Sequence, residues 1–216
     1  MNVSGVTLGL IEVTIFFILS TLSRNLFSNL STLHGVSYYW LCFTVLTGIW
    51  EACFVSNYKN TIQYARQLRL DNSHVWGTKY SLVHLLPKQL AYIFYAEYGA
   101  YADREYMSVK DGWSRVIEST HAIFCGIFSL LALLRLTYFG STVGVSVCIA
   151  IAMSAQLMNS ILYMAEYFVQ CSDSHSVNYD SRVFPLGKLM LGRPFMWINL
   201  FWTLMPIVIL LPMIQG

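Results

Sequence analysis

Residues 5 to 22 read Gly-Val-Thr-Leu-Gly-Leu-Ile-Glu-Val-Thr-Ile-Phe-Phe-Ile-Leu-Ser-Thr-Leu. That run is about as long as the roughly 20 apolar residues a helix needs to cross a bilayer core. A secretory leader would read similarly, but no basic residue precedes the run and no small-x-small cleavage site follows it. A first membrane span is therefore expected. Comparable stretches recur at 36–57, 112–138, 142–169 and 189–213. Only 11% of the chain is charged, against about 25% in a soluble domain, so the five stretches read as spans of one membrane domain covering residues 1–216.

The segment 58–111 differs in kind. Lys59, Arg66, Arg69, Asp71, His74 and Lys79 mark an extramembrane excursion, partly helical. From 80 to 101 the pattern turns amphipathic, with tyrosines at 92, 95, 98 and 101. Pro87 and Lys88 argue against a clean span there, so a helix lying at the interface is expected between spans two and three. The fold class is thus an all-α, five-span integral membrane bundle. The Lys/Arg bias puts the N-terminus and the loops after spans two and four in the cytoplasm. Net charge is +2 with no basic run, which excludes a nucleic-acid footprint. The five cysteines show no paired spacing, and the four inside apolar stretches read as small buried hydrophobes.

Four carboxylates fall inside the expected spans: Glu12, Glu51, Glu118 and Glu166. Each costs about 3 kcal/mol at mid-bilayer on insertion scales, so each marks a candidate functional site. Glu12 stands alone on its helix and suits a helix-end or structural role equally well. Glu51 has Thr47 one turn before it on the same face. Glu118 has His121 three residues on and Arg115 three before. A carboxylate beside an imidazole in a dry pocket can donate a proton and take one back. A plain Glu118–Arg115 ion pair is the structural alternative.

On the fourth span Gln156, Asn159, Tyr163 and Glu166 form a polar stripe that must face a cavity or another helix. On the fifth, Asn199 and Trp202 share a face. An indole facing a cavity can stabilise a cation, although such a Trp is more often packing. No serine-nucleophile motif, phosphate loop or metal-ligand spacing competes with this set.

Four segments together resemble the emopamil-binding protein family, the sterol Δ8–Δ7 isomerases, and the wider EXPERA group that includes the sigma-2 receptor. Ile49-Trp-Glu51-Ala-Cys-Phe-Val is similar to the family's glutamate-bearing second span. Glu97-Tyr98 with Asp103 to Tyr106 resembles its E-Y-x-x-x-D-x-R-Y segment, Glu118-Ser-Thr-His-Ala with Gly126 its E-T-x-T-A block, and Asn199 to Pro206 its N-x-x-W-x-x-x-P. With Gln156 and Leu162-Tyr163, the likeness covers residues 40 to 210.

The resemblance implies a multi-pass endoplasmic-reticulum protein whose pocket opens to the bilayer. Its ligand would be a sterol or related polycyclic terpenoid, its surroundings membrane lipid, and a homodimer its candidate assembly. Family chemistry protonates a ring double bond, holds the carbocation and removes a different proton, with no cofactor because the redox state does not change. Carried over, Glu51 and Glu118 become the acid–base and cation-stabilising carboxylates, Trp202 the cation–π face and Asn199 a polar support. Thr47, Gln156, Asn159, Tyr163, Tyr98 and Asp103 become further contacts, and in the surface cap Glu97, Asp103 and Arg104 are expected as structural or entrance residues.

Two departures stand out. Thr47 occupies the place of the family's histidine, and threonine cannot act as an acid near neutral pH. His121 stands where the family has threonine and is expected to supply the missing imidazole, completing the catalytic set Glu51, Glu118 and His121. These changes suit a diverged isomerase, a related enzyme running another carbocation rearrangement or cyclisation, or a sterol-binding and trafficking protein of the sigma-2 type.

Overall fold

The computed structural model describes residues 2–102, 112–170 and 194–215. The chain is mostly helical, in the order β1 (Asn2–Ser4), α1 (Gly5–Leu26), α2 (Ser28–Ser31), α3 (Gly35–Leu70), β2 (Lys79–Ser81), a 3-10 turn (Leu82–Leu85), α4 (Pro87–Tyr101), α5 (Gly112–Phe139), α6 (Val143–Gln170) and α7 (Pro194–Gln215). Four helices are long and apolar enough to cross a membrane: α1, α3, Arg115–Phe139 of α5 and Val143–Ala165 of α6. In α7 the described apolar stretch is the shorter Trp197–Met213.

The second expected span continues well beyond residue 57. α3 runs on to Leu70, with one non-helical residue, Asn57 (φ −129°, ψ 17°), where the apolar run gives out. Beyond that kink Thr61, Ile62, Ala65 and Leu68 recur at helical spacing and are buried, and packing of that face keeps the polar extension helical. α4 begins at Pro87, in the first-turn position where a missing N–H costs nothing. The proline therefore opens the helix, and residues 80–85 belong to β2 and the 3-10 turn. α4 packs most extensively on α3 and buries Leu90, Ile93, Ala96 and Ala100 in a core shared with Leu8, Ala65, Leu68 and Val75.

One antiparallel strand pair departs from the all-α pattern, with Val3 opposite Tyr80. It ties the start of α1 to the 71–81 connection. Gly5 N donates to Thr78 O (3.1 Å) and Val6 N to Trp76 O (3.3 Å), satisfying amides that a helix start leaves open. Ser4 Oγ accepts from Thr7 N at 3.2 Å.

A second core joins Tyr38, Trp40 and Leu41 of α3 to Ala132 and Leu136 of α5, Ile149 and Met153 of α6, and Ile209 of α7. Glycines set how closely α3 and α5 cross. A Cβ on Gly48 would lie 3.1 Å from Ala122 O and from Gly126 Cα, and one on Gly126 would lie 3.2 Å from Gly48 Cα. Two facing glycines let the backbones touch, as small residues do between membrane helices. Glu51 and Ser119 sit one to two turns from that contact.

Candidate functional site

A cavity of about 460 Å³ lies among α3, α4, α5, α6 and α7. Glu51, Glu118 and His121 all line it. So do Thr47, Trp202, Asn199, Gln156, Asn159, Tyr163 and Tyr98. Residues chosen from five separate sequence segments therefore converge on one space. Asp103 and Arg104 lie outside the described residues, as does the side chain of Glu166. Glu12, on α1, is not among the lining residues.

Glu51 is buried and both its oxygens accept hydrogen bonds. Ser119 Oγ donates to Oε1 at 2.9 Å, and the Tyr95 hydroxyl donates to Oε2. Tyr95 is itself stacked on Phe54, centroids 4.8 Å apart. Burial first, and then the Glu51 charge, hold its phenol well above the usual tyrosine range, so it stays a donor. Two O–H donors on one carboxyl group are the pattern that suits a carboxylate.

Glu118 is arranged differently. Asn159 Nδ2 donates to its Oε2 at 3.0 Å, and His121 Nδ1 lies 4.0 Å from the same oxygen. Both ring nitrogens of His121 are buried without a hydrogen-bond partner. The ion pair between Arg115 and Glu118 does not form. The guanidinium instead sits 4.3 Å from the Tyr58 ring centroid, and its Nη1 is without a partner. A helical (i, i+3) spacing permits the Glu118–Arg115 contact, and the aromatic face on α3 wins the side chain.

Thr47 Oγ1 donates to Thr44 O at 3.1 Å, so its hydroxyl is spent on its own helix. Tyr98 and Tyr163 hydroxyls are 3.1 Å apart and close one wall between α4 and α6. At the other end Trp202 stacks on Phe43, with centroids 5.4 Å apart and planes at 25°, and lies 4.8 Å from Trp40. Trp40 Nε1 donates to Gln156 Oε1 at 2.7 Å. The Trp202 ring is thus packed from behind and still lines the cavity. Among the described residues, no group of three or more His, Cys, Asp or Glu is placed to hold a metal ion.

Tyr95, Ser119 and Trp50 were not legible as site residues. Ser119 adjoins Glu118 in sequence but points to α3, and Tyr95 is one of four tyrosines on α4 with nothing local to single it out. A third wall comes from the 71–78 connection, where Trp76 stacks on Phe94 (5.5 Å). That connection is fastened by Glu97, which accepts from Val75 N (3.0 Å) and meets His74 Nδ1 (2.6 Å). No protein-family model, curated protein or solved structure matches the chain.

Proposed function

We propose that the protein is an intramembrane isomerase that shifts a carbon–carbon double bond in a sterol or related polycyclic terpenoid. In this reading α7 is a fifth span, the chain is a diverged relative of the sterol isomerases it resembles, and the endoplasmic reticulum is its membrane. One observation carries the proposal. A single apolar-walled cavity holds a carboxylate fixed by two hydroxyl donors, Glu51, and a separate carboxyl–imidazole couple with unpartnered ring nitrogens, Glu118 and His121. The two groups have different environments, as an acid and a stabilising base require.

The Glu118–His121 couple delivers a proton to one alkene carbon, leaving a cation on the other. Glu51 and the Trp202 face stabilise that cation, and fixed charges act strongly in a water-poor site. A neighbouring C–H then gives its proton to the enzyme and its electron pair forms the new double bond. One proton enters and one leaves, so no oxidant or cofactor is consumed. Purified protein in lipid nanodiscs, supplied with a Δ8-sterol and a panel of unsaturated terpenoids, should yield a double-bond isomer by gas chromatography and mass spectrometry. Absence of isomer across the panel would overturn the enzyme reading.

A second reading, a sterol-binding protein without chemistry, draws on the Thr47 hydroxyl, which is bonded to Thr44 O and supplies no acid. Glu118→Gln separates the two. A binder keeps its sterol affinity and has no turnover to lose, whereas the isomerase loses turnover by about 10²-fold or more.

A further inference from the structure

A second cavity, a groove of about 610 Å³, lies between the extension of α3 and the first turns of α4. It shares no lining residue with the cavity that holds Glu51, Glu118 and His121, and its chemistry is different. Carboxamides dominate the lining, with Asn57, Asn60, Gln63 and Gln67 from α3 and Gln89 from α4. Among the described lining residues Lys88 alone is charged. Tyr64 and Tyr92 complete the set. All of these residues are exposed or half-buried, so a headgroup in the groove can reach them.

Contacts between the lining residues fix the shape of the groove. The Tyr64 ring stacks on Tyr92, centroids 5.0 Å apart, and bridges α3 to α4. The Tyr64 hydroxyl is 2.7 Å from that of Tyr80. Asn60 Nδ2 donates to Asn57 Oδ1 at 2.7 Å, and Gln67 Nε2 to Asp71 Oδ2 at 2.7 Å. Among the described residues, the side chains of Gln63, Lys88 and Gln89 make no hydrogen bond. One ammonium among several carboxamides matches a ligand with one negative charge and several hydroxyls, because a hydroxyl, like a carboxamide, both donates and accepts. A phosphocholine group offers no such donors and brings a second cation towards Lys88.

The position of the groove favours a lipid as the source of that ligand. Asn57 is the non-helical residue of α3 where the apolar run gives out, and Gln67 stands about 15 Å farther along the helix. From Tyr58 to Leu70 the charged residues are Lys59, Arg66 and Arg69, all cationic and exposed. Basic side chains just beyond a span attract an anionic leaflet. We propose that the groove binds the headgroup of an anionic phospholipid that carries a polyol on its phosphate, as phosphatidylinositol does. Lys88 meets the phosphate and the carboxamides meet the ring hydroxyls. The proposal is independent of the chemistry in the other cavity.

Native mass spectrometry of the full-length protein in detergent, titrated with phosphatidylinositol, phosphatidylserine and phosphatidylcholine of matched acyl chains, tests it. Phosphatidylinositol should bind about tenfold more tightly than phosphatidylserine, which has the negative charge without the polyol, and phosphatidylcholine should bind most weakly. Lys88→Ala should weaken phosphatidylinositol binding about tenfold, and Gln63→Ala combined with Gln89→Ala should bring it to the level of phosphatidylserine. The wild-type ranking stands even if a variant folds poorly. Equal binding of phosphatidylinositol and phosphatidylserine, or phosphatidylinositol binding undiminished in K88A, overturns the proposal. Glycerophosphoinositol, the same headgroup without acyl chains, should compete more weakly than the lipid. Competition as strong as the lipid's own would assign the groove to a soluble phosphate ester and overturn the lipid.

Discussion

Ser119 Oγ donates to Glu51 Oε1 across 2.9 Å, joining α5 to α3 at the wall of the cavity. Because Ser119 adjoins Glu118, one helix fixes the first carboxylate from behind while presenting the second to the cavity. With the Tyr95 hydroxyl on the other oxygen, Glu51 is held in one geometry. Removing a hydrogen bond to a charged group costs about 1.5–3 kcal/mol. Tyr95→Phe and Ser119→Ala are each expected to lower kcat by roughly 10- to 100-fold with smaller changes in KM, read by isomer formation under saturating substrate.

Under the proposed reading, in which His121 supplies the imidazole that the resembled family carries at the Thr47 position, a rescue experiment is available. His121→Thr should cost about 10²- to 10⁴-fold in turnover, the usual worth of a positioned acid–base group. Thr47 lines the same cavity. Thr47→His in the H121T background is therefore expected to recover part of the loss, whereas T47H alone in the wild-type chain should bring no such gain. Failure of the double variant to recover any activity would count against His121 as the substitute imidazole.

The glycine contact between α3 and α5 sets the Glu51–Ser119 distance. A methyl group on Gly48 would press on two backbone atoms, Ala122 O and Gly126 Cα, at 3.1 Å. Overpacking of this kind costs about 1–3 kcal/mol. Gly48→Ala and Gly126→Ala should each lower the thermal midpoint in detergent and reduce turnover, through displacement of Glu51 from Ser119.

Two tyrosines outside the four membrane-length helices predict an alkaline limit to stability. Burial raises Tyr95, with the Glu51 charge adding to it, and burial raises Tyr80, with its hydrogen bond to Tyr64 adding to it. A group whose folded-state pKa is raised contributes stability that is complete below its unfolded value, about 10 for tyrosine, and is lost as pH climbs above that value. Thermal midpoints should hold steady through neutral pH and fall above about pH 10. The fall should be shallower in Tyr95→Phe, and an unchanged slope in that variant would contradict the assignment.

The long spans and most of the cavity were legible in the sequence because both depend on periodicity. Apolar runs near 20 residues place α1, α5 and α6 within a few residues of their ends, and the polar stripe on α6 predicts that Gln156, Asn159 and Tyr163 share a wall. The extension of α3 past Asn57 was harder to read, because its buried face consists only of Thr61, Ile62, Ala65 and Leu68 amid charged residues. The strand pair is three residues long, too short for an alternation signal. Tyr95 and Ser119 depend on how three helices cross, and that is set by Gly48 and Gly126 facing each other, a relation between helices that no local pattern carries.

In the proposed mechanism a proton from the enzyme enters the substrate at one alkene carbon and another leaves the carbon on the far side of the resulting cation. Turnover of a Δ8-sterol by the purified protein in heavy water, with the product examined by mass spectrometry and NMR, tests it most directly. One solvent deuterium per product molecule is expected, at the newly saturated carbon, with loss of product in Glu118→Gln. Rearranged product that carries no solvent deuterium would contradict it.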